Sequence, residues 1–257
     1  MIDHLLAIKT AFGLYLGQFY AGIYPDTKAL RAFANRGLSL SIMMAPGRMI
    51  DQVQDMITAY QKNDNSPGAG PYHPGANALF PVILVALSKD YIPTAGDFGG
   101  RQVGRQMVAL SDEPGSSVYG YRQAMGDYRA QVVIMAAETS TAQSLAAQFA
   151  LFVGEIPNRR FRVKFPWGQY ELDMPCMLET PDILFSKIDA EDQNMTILAA
   201  DVTLRATLPF LDAPAEGEEN DGTTNNPPGY PVVEQINVLN QVTTDAYVVR
   251  EEGVTRP

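Results

Sequence analysis

The last 46 residues of the chain carry most of its negative charge. Residues 212–257 hold nine acidic and two basic side chains, a net charge of −7 out of −10 for the whole chain of 257 residues. A segment this acidic and this poor in apolar side chains cannot bury enough surface to fold by itself. We therefore predict a folded body over 1–211, followed by an acidic, extended C-terminal arm over 212–257 that becomes ordered on a neighbouring surface.

The composition of the body is that of a globular protein. Hydrophobic residues make up 46% of the chain and charged residues 19%, which at this length supports a sizeable core. The single cysteine, Cys176, excludes an intramolecular disulfide and indicates a reducing compartment such as a host cytoplasm. Two histidines and one cysteine are too few for a Cys/His zinc site, and we expect no cofactor. The acidic balance also argues against a protein that grips nucleic acid through its phosphates.

Neither a leader nor a membrane segment is expected. The first residues are Met1, Ile2, Asp3 and His4, whereas a secretory signal begins with basic residues. The chain has no apolar run of about 18 residues, the length at which a membrane span is predicted.

Residue periodicity predicts helices and strands in the N-terminal part of the body, residues 1–117. Apolar residues at steps of three and four predict helices over 2–19, 26–35 and 47–60. Short apolar runs predict strands over 38–45, 81–88 and 105–110. Glycine and proline clusters predict long loops over 63–77 and 89–104.

Residues 118–211 show the clearest patterning. The segment 118–135 predicts either a hairpin that turns at Gly126–Asp127 or one longer strand with a bulge there. A helix is predicted over 139–153, with Thr139 capping its first turn. Alternation predicts strands over 160–165, 172–178 and 198–208. Cys176 falls on the apolar face of the second of these, and Pro175 beside it indicates a sheet edge or a bulge.

Catalytic motifs are not recognisable in this sequence, and we expect no enzymatic activity. Asp189, Glu191 and Asp192 form an acidic cluster that could hold a divalent cation or act as an acid and base pair. A solvated loop is the commoner reading of such a cluster. His4 and His73 are interpreted as surface or capping residues.

One stretch concentrates positive charge. Arg160, Arg162 and Lys164 alternate with apolar residues along a predicted strand, and Arg159 precedes them. The simplest interpretation is a solvated strand face. The functional interpretation is a dock for the acidic arm of a neighbouring copy, with charge complementarity setting register and partner choice. On that interpretation the candidate subunit-contact residues are Arg159, Arg160, Arg162, Lys164, Glu216, Glu218 and Glu219.

The order of elements after Val118 resembles a known family. Paired strands, the amphipathic helix over 139–153 and the long alternating strand that ends in Ala199–Pro209 are similar to the tail-terminator and neck proteins of tailed bacteriophages, especially contractile-tailed ones. The resemblance covers residues 118–211. The long N-terminal segment and the acidic arm depart from that pattern.

The resemblance implies both a fold and a role. The fold is α/β in the α+β sense, with helices packed on a mixed or antiparallel sheet. The role is mechanical: a homo-oligomeric ring, typically of six copies, terminates the tail and joins it to the head connector at the neck of the virion. The implied partners are head-connector, tail-tube and sheath proteins, and DNA passes through a central channel.

Three other functions stay open at this stage. A tail-tube or sheath-associated structural protein also uses arms to join rings. A metal-dependent enzyme would use the acidic cluster. A monomeric binding module would fold its arm back onto its own body.

Overall fold

A computed structural model of the chain describes residues 2–62, 80–94, 103–110, 118–167, 170–179, 182–189, 195–212, 248–250 and 253–255. The chain divides into two compact units: residues 1–99 with 125–208 form the first, and residues 100–124 with 209–257 form the second. The division into a body and an arm stays a prediction, because most of the arm lies outside the described residues.

Five α-helices and eleven strands are formed by the described residues. The helices are α1 (His4–Ala21), α2 (Lys28–Asn35), α3 (Leu38–Ser41), α4 (Val53–Lys62) and α5 (Thr139–Gly154). The strands are β1 (Ile42–Ala45), β2 (Val82–Leu87), β3 (Ile92–Pro93), β4 (Val103–Ala109), β5 (Val118–Ala136), β6 (Arg160–Trp167), β7 (Tyr170–Leu178), β8 (Ser186–Ile188), β9 (Thr196–Asp212), β10 (Val248–Arg250) and β11 (Gly253–Thr255).

A mixed sheet organises the first unit. Its strand order is β1-β2-β5-β9-β7-β6, with β3 paired to β5 and β8 paired to β9. Strands β1 and β2 are parallel, whereas β2 with β5, β6 with β7, and β7 with β9 are antiparallel. The sheet and its helices confirm the α+β fold class predicted from the sequence.

Apolar residues cover both faces of this sheet. Ile83, Val85 and Leu87 of β2 face a large core that includes α1, α2 and α5, and Val82 and Leu84 face a smaller core with α4. Because neighbouring residues of a strand point to opposite faces, a continuous apolar run such as β2 is buried on both sides.

The largest core depends on aromatic packing between α1 and α5. The ring of Phe19 meets Phe149 edge-on, with centroids 5.0 Å apart, and Tyr15 contacts Phe152 at 5.1 Å. Helix α1 begins at the cap residue Asp3, whose carboxylate accepts a hydrogen bond from the Leu6 amide at 3.0 Å. The predicted helices over 2–19 and 26–35 are thus confirmed within two residues.

The predicted strand over 38–45 is wrong in its first half. Gly37 adopts φ 96°, a conformation that favours glycine, and the chain then forms the short helix α3. The hydroxyl of Ser41 donates to the carbonyl of Phe33 at 3.0 Å, which gives that turn a tertiary partner. Strand β1 starts only at Ile42.

The predicted helix over 47–60 is interrupted. A 3-10 turn spans Gly47–Met49, and α4 begins at Val53. Between them Asp51 has φ 66°, and its amide donates to the side chain of Gln131 at 3.0 Å. This left-handed residue breaks the helix because it cannot continue a right-handed turn.

Residues 118–135 form one strand, so the turn predicted at Gly126–Asp127 is wrong and the single-strand alternative is correct. Gly126 and Asp127 stay in register with Pro93 and Ile92 of β3. A side chain at position 126 would collide with Tyr91, since a Cβ there would lie 2.2 Å from its ring. The glycine therefore marks a close approach within a strand and not a reversal of the chain.

The ends of the other predicted elements differ in detail. Thr139 is the first residue of α5 and not its cap, because the cap position is Glu138, and the Thr139 hydroxyl lies 2.8 Å from that of Thr196. Pro175 opposes Arg162 on β6, and pairing of β7 with β9 starts at the next residue, Cys176. Pro175 therefore lies where the pairing of β7 with β9 ends, on a strand that has neighbours on both sides in the sheet order.

In the second unit, β4 pairs antiparallel with the beginning of β5, from Ala109 opposite Val118 to Val103 opposite Gln123. This confirms the strand predicted over 105–110. Strands β10 and β11 pair antiparallel near the C-terminus. The loop predicted over 63–77 lies outside the described residues, as does much of the loop predicted over 89–104.

Candidate subunit-contact surfaces

The basic strand predicted from the sequence is β6, which lies at the edge of the sheet. Two of its cations, Arg162 and Lys164, have acidic partners on β7. Arg162 Nε lies 2.9 Å from Asp173 Oδ1, and Lys164 Nζ lies 2.6 Å from Glu171 Oε1. The two strands run antiparallel with Lys164 opposite Asp173. The hairpin therefore carries a ladder of opposite charges, which we call the β6–β7 ladder (Arg162, Lys164, Glu171 and Asp173).

The other two predicted cations are placed differently. Arg159 lies in a 3-10 turn after α5, and its guanidinium donates to the carbonyl of Gly154 at 2.9 Å, at the end of that helix. Arg160 is exposed at the first position of β6. The structure thus uses Arg159 to bind a helix-terminal carbonyl, a favourable place for a cation.

The ladder bears on the predicted role of β6 in subunit contact. Part of its positive charge is balanced within the chain, since Glu171 and Asp173 alternate on β7 with the same period. Sequence reasoning missed these two acids, although their alternation with Leu172 and Met174 was a visible signal. The acidic partners proposed for the arm, Glu216, Glu218 and Glu219, lie outside the described residues. The role of β6 as a dock stays a prediction.

A second charged cluster lies on the central strands. Arg205 of β9 forks onto Asp127 of β5, with Nε to Oδ1 at 2.9 Å and Nη2 to Oδ2 at 3.0 Å. Arg205 also pairs with Glu179, and Thr94 donates to Asp127 at 3.0 Å. The Arg205 and Asp127 side chains are only 17% and 14% exposed.

Arg129 forms a neighbouring arrangement. Its guanidinium binds the carboxylate of Asp51 and lies 2.7 Å from Asp201 Oδ2. Asp127 and Arg129 share a face of β5 with Val133, which packs against α4 on the smaller core. We call the set of Arg129, Arg205 and their carboxylate partners the β5–β9 network. Sequence reasoning did not predict it.

The arginines of the network lower the pKa values of two carboxylates, those of Asp127 and Asp51. Hydrogen bonding to Arg205 lowers the pKa of Asp127 below its usual value, although partial burial opposes the shift. In the same way, hydrogen bonding to Arg129 lowers the pKa of Asp51 and raises that of the guanidinium. These groups are mutually satisfied ion pairs whose geometry fits a structural role, the stabilisation of neighbouring strands.

The remaining candidate chemical groups are dispersed. Cys176 is 1% exposed, and burial raises the pKa of its thiol to about 12, so the interpretation of it as a buried apolar residue is confirmed. The ring of His4 packs edge-on against Phe165 at 5.4 Å. The backbone carbonyl of Asp189 accepts from Gln54 at 3.1 Å, whereas Glu191, Asp192 and His73 lie outside the described residues. Within the described ranges, no group of three or more Cys, His, Asp or Glu residues is placed to hold a metal ion.

The C-terminal end of α5 exposes large apolar side chains. Leu151, Ile156 and Leu184 are 68%, 78% and 81% exposed. Leu151 and Leu184 line a groove of about 620 Å³ between α5 and the segment 182–184, which is completed by Ala150, Gly154, Glu155, Asp182 and Ile183. We call it the α5 groove.

A tyrosine near the same helix is held in an exposed position. The backbone amide of Tyr24 donates to Gln148 Oε1 at 2.8 Å, and Gln148 Nε2 donates to the Tyr24 carbonyl at 2.9 Å. Ser144 further binds Asp26 at 2.8 Å. The segment is therefore fixed to α5 while the Tyr24 side chain stays 75% exposed.

Comparisons with known proteins give few similarities. No protein-family model matches the sequence, and neither does any curated protein. One solved structure that matches is a chain of the "Virion of native gene transfer agent (GTA) particle", with 14% identity over 79% of this chain and 98% of that chain and a TM-score of 0.28. A TM-score this low carries no functional argument. In the part of the chain that the structure describes, no helix is both long enough and apolar enough to cross a membrane.

Proposed function

We propose that the protein is a structural subunit of a tailed-phage virion. In this proposal copies of the chain assemble in the host cytoplasm into a ring, hexameric in the family it resembles, at the neck of the particle. The ring ends the tail, binds the head connector on one side and the tail tube and sheath on the other, and leaves a channel for DNA. The function is mechanical and not catalytic.

The observation that carries this proposal is the exposed apolar surface at the end of α5. Leu151, Ile156 and Leu184 are all at least two-thirds exposed, although burying a side chain of this kind gains roughly 1.5–3 kcal/mol. Exposed apolar side chains that cluster on one surface are typical of sites that bind another protein. The rigidly held, exposed Tyr24 is a second feature of such sites, where tyrosine is enriched.

The order of elements supports the phage assignment. The structure forms an amphipathic helix (α5), a hairpin (β6 and β7) and a long final strand (β9) in the order that the resemblance describes, whereas the paired strands that precede the helix in the resemblance are here the single long strand β5. The charged groups of the first unit support a mechanical role, because Arg129 and Arg205 are each bound by two carboxylates.

The test is the assembly state of the purified full-length chain. Sedimentation velocity over a range of concentrations, followed by negative-stain electron microscopy, should show closed rings. An open helical polymer would instead favour a tail-tube protein, because a head-to-tail contact that does not close produces a filament. A chain that stays monomeric at the highest concentration contradicts the proposal.

A further inference from the structure

Helix α1 has an apolar outer stripe in addition to its buried side. Leu6 and Leu14 are 59% and 68% exposed, and the exposed Thr10 lies between them at four-residue steps. Residues four apart lie on one side of a helix. We call Leu6, Thr10 and Leu14 the α1 stripe.

Gly13 lies beside this stripe, and among the described residues none packs against it. A Cβ built at this position meets nothing within 4 Å. A glycine inside a helix lowers its stability relative to alanine, so the position favours a residue that another chain can approach closely.

The lining of the α5 groove is complementary in polarity and charge to the α1 stripe and the nearby Lys9. Its centre is apolar, with Leu151, Ile183 and Leu184, and two carboxylates, Glu155 and Asp182, also line it. An occupant that fits this lining is a helix with apolar anchors along one side and a cation beside them, the helix-in-groove mode of recognition.

We propose that α1 of one copy of this chain lies in the α5 groove of a second copy. This inference rests on the proposed function and names the contact that joins two subunits. In the occupying helix Leu6 and Leu14 are anchors two turns apart. Lys9 lies three residues after Leu6 and four before Gly13, so it projects beside the stripe and faces Glu155 or Asp182 of the other copy.

Apolar side chains are exposed on both surfaces of the proposed contact. A standard protein interface buries about 800 Å² on each partner, and exposed patches of a few hundred Å² already mark interaction sites. The six residues Leu6, Leu14, Tyr24, Leu151, Ile156 and Leu184 are each at least 59% exposed. Leu6 and Leu14 of one copy with Leu151 and Leu184 of the other supply the apolar part of the contact, and the copy that presents the stripe keeps its own groove for a further subunit.

The first experiment uses two charged variants of the full-length protein. Leu14→Glu damages the stripe and Leu151→Glu damages the groove, so each variant should self-associate at least tenfold more weakly than wild type in sedimentation. A mixture of the two should recover a 1:1 pair, because an intact α1 then meets an intact groove. The matched control is Thr58→Glu on α4, an exposed position on the other face of the sheet, and it should associate like wild type.

The second experiment tests the contact directly. Copies that carry Leu14→Cys are mixed with copies that carry Leu184→Cys, and an oxidant should join them by an intermolecular disulfide that mass spectrometry locates. Copies with Thr58→Cys should not be joined to Leu184→Cys copies. The native Cys176 is buried and does not compete.

Alkylation of the Leu184→Cys variant distinguishes a second copy from the chain's own arm. The thiol should react quickly in dilute monomer and become protected as copies associate. Protection already present in the monomer would mean that the chain covers its own groove, and it would overturn the inference. Rings that form equally well in Leu14→Glu and Leu151→Glu would also overturn it while leaving the proposed function intact. A wild-type chain that never associates contradicts both.

Discussion

The β6–β7 ladder and the β5–β9 network are built from the same chemical groups but differ in burial. In the ladder, Lys164 and Glu171 are 64% and 54% exposed, whereas in the network Arg205 and Asp127 are 17% and 14% exposed. Water screens the first pair strongly and the second pair weakly. We therefore expect loss of a partner to destabilise the fold more in the network than in the ladder.

The two regions also differ in geometry. Arg205 makes two parallel contacts to one carboxylate and a further contact to Glu179, so its planar group is fixed in place. Lys164 makes a point contact to one carboxylate. A forked arginine pair is directional and difficult to replace, whereas a lysine pair on a surface tolerates change.

The largest effect is expected from Arg205→Ala. Removal of the guanidinium leaves Asp127 half-buried without its main partner, which should lower the free energy of unfolding by about 3 kcal/mol. Urea denaturation followed by circular dichroism measures this. Arg205→Lys, which keeps the charge but loses the fork, should fall between Arg205→Ala and wild type. An unchanged unfolding midpoint in Arg205→Ala would mean that the network contributes no more to stability than the ladder does.

The second-largest effect is expected from acid, which should remove the stabilisation that the Arg205–Asp127 pair provides. The folded-state pKa of Asp127 lies below its usual value, so its stabilisation is complete above the unfolded pKa of about 3.9 and is lost as the pH falls towards the lowered folded pKa. The difference in stability between wild type and Arg205→Ala should therefore shrink below about pH 4. Denaturation curves from pH 7 to pH 2 test this. A difference that is constant over the range would contradict the assignment.

A smaller effect is expected from Lys164→Ala. An exposed pair of this kind contributes little to stability because water screens it, so the unfolding midpoint should change little and any remaining difference should vanish in high salt. The salt dependence of Arg205→Ala should be weaker because its partners are less exposed. A loss of stability in Lys164→Ala as large as that in Arg205→Ala would remove the distinction between the two regions.

The smallest change in folding is expected from a charge exchange within the ladder. Lys164→Glu with Glu171→Lys keeps one pair of opposite charges between positions 164 and 171, although the new carboxylate at 164 then lies opposite Asp173. Because these positions are exposed, the unfolding midpoint should stay close to that of wild type. Lys164→Glu alone brings like charges together and should lower the unfolding midpoint more than the exchange does. If β6 docks an acidic partner, the exchanged protein should fold normally and assemble less well in sedimentation. Normal assembly would assign the ladder to the hairpin alone.

Local sequence patterns correctly predicted the helices and strands that bury one regular apolar face. The apolar steps of α1 and α5 and the alternation in β6, β7 and β9 were sufficient, because each buries one regular face. The segments 38–45 and 118–135 were more difficult. A positive φ at Gly37 and the approach of Tyr91 to Gly126 decide those conformations, and both depend on residues outside the local pattern.

The candidate surfaces also include some that local patterns predicted and some that they did not. The cations of β6 were found from their spacing alone. Their partners on β7, the β5–β9 network and the α5 groove were not found. Arg205 and Asp127 are 78 residues apart in the chain. Leu151 and the segment 182–184 are distant in the sequence and line one groove because of the way α5 packs in the fold. No local pattern links such residues.

The α+β class was implied by the family resemblance. The sequence by itself determined the main helices and strands, the burial of Cys176 and the concentration of acid from residue 212 onward. These follow from composition and periodicity, which act between neighbours along the chain. Only the tertiary structure decided which charges are paired and which apolar residues stay exposed, as in the opposite fates of Phe149 and Leu151 on one helix. The physical reason is that burial and ion pairing depend on distances in space, and packing fixes those distances for the chain as a whole.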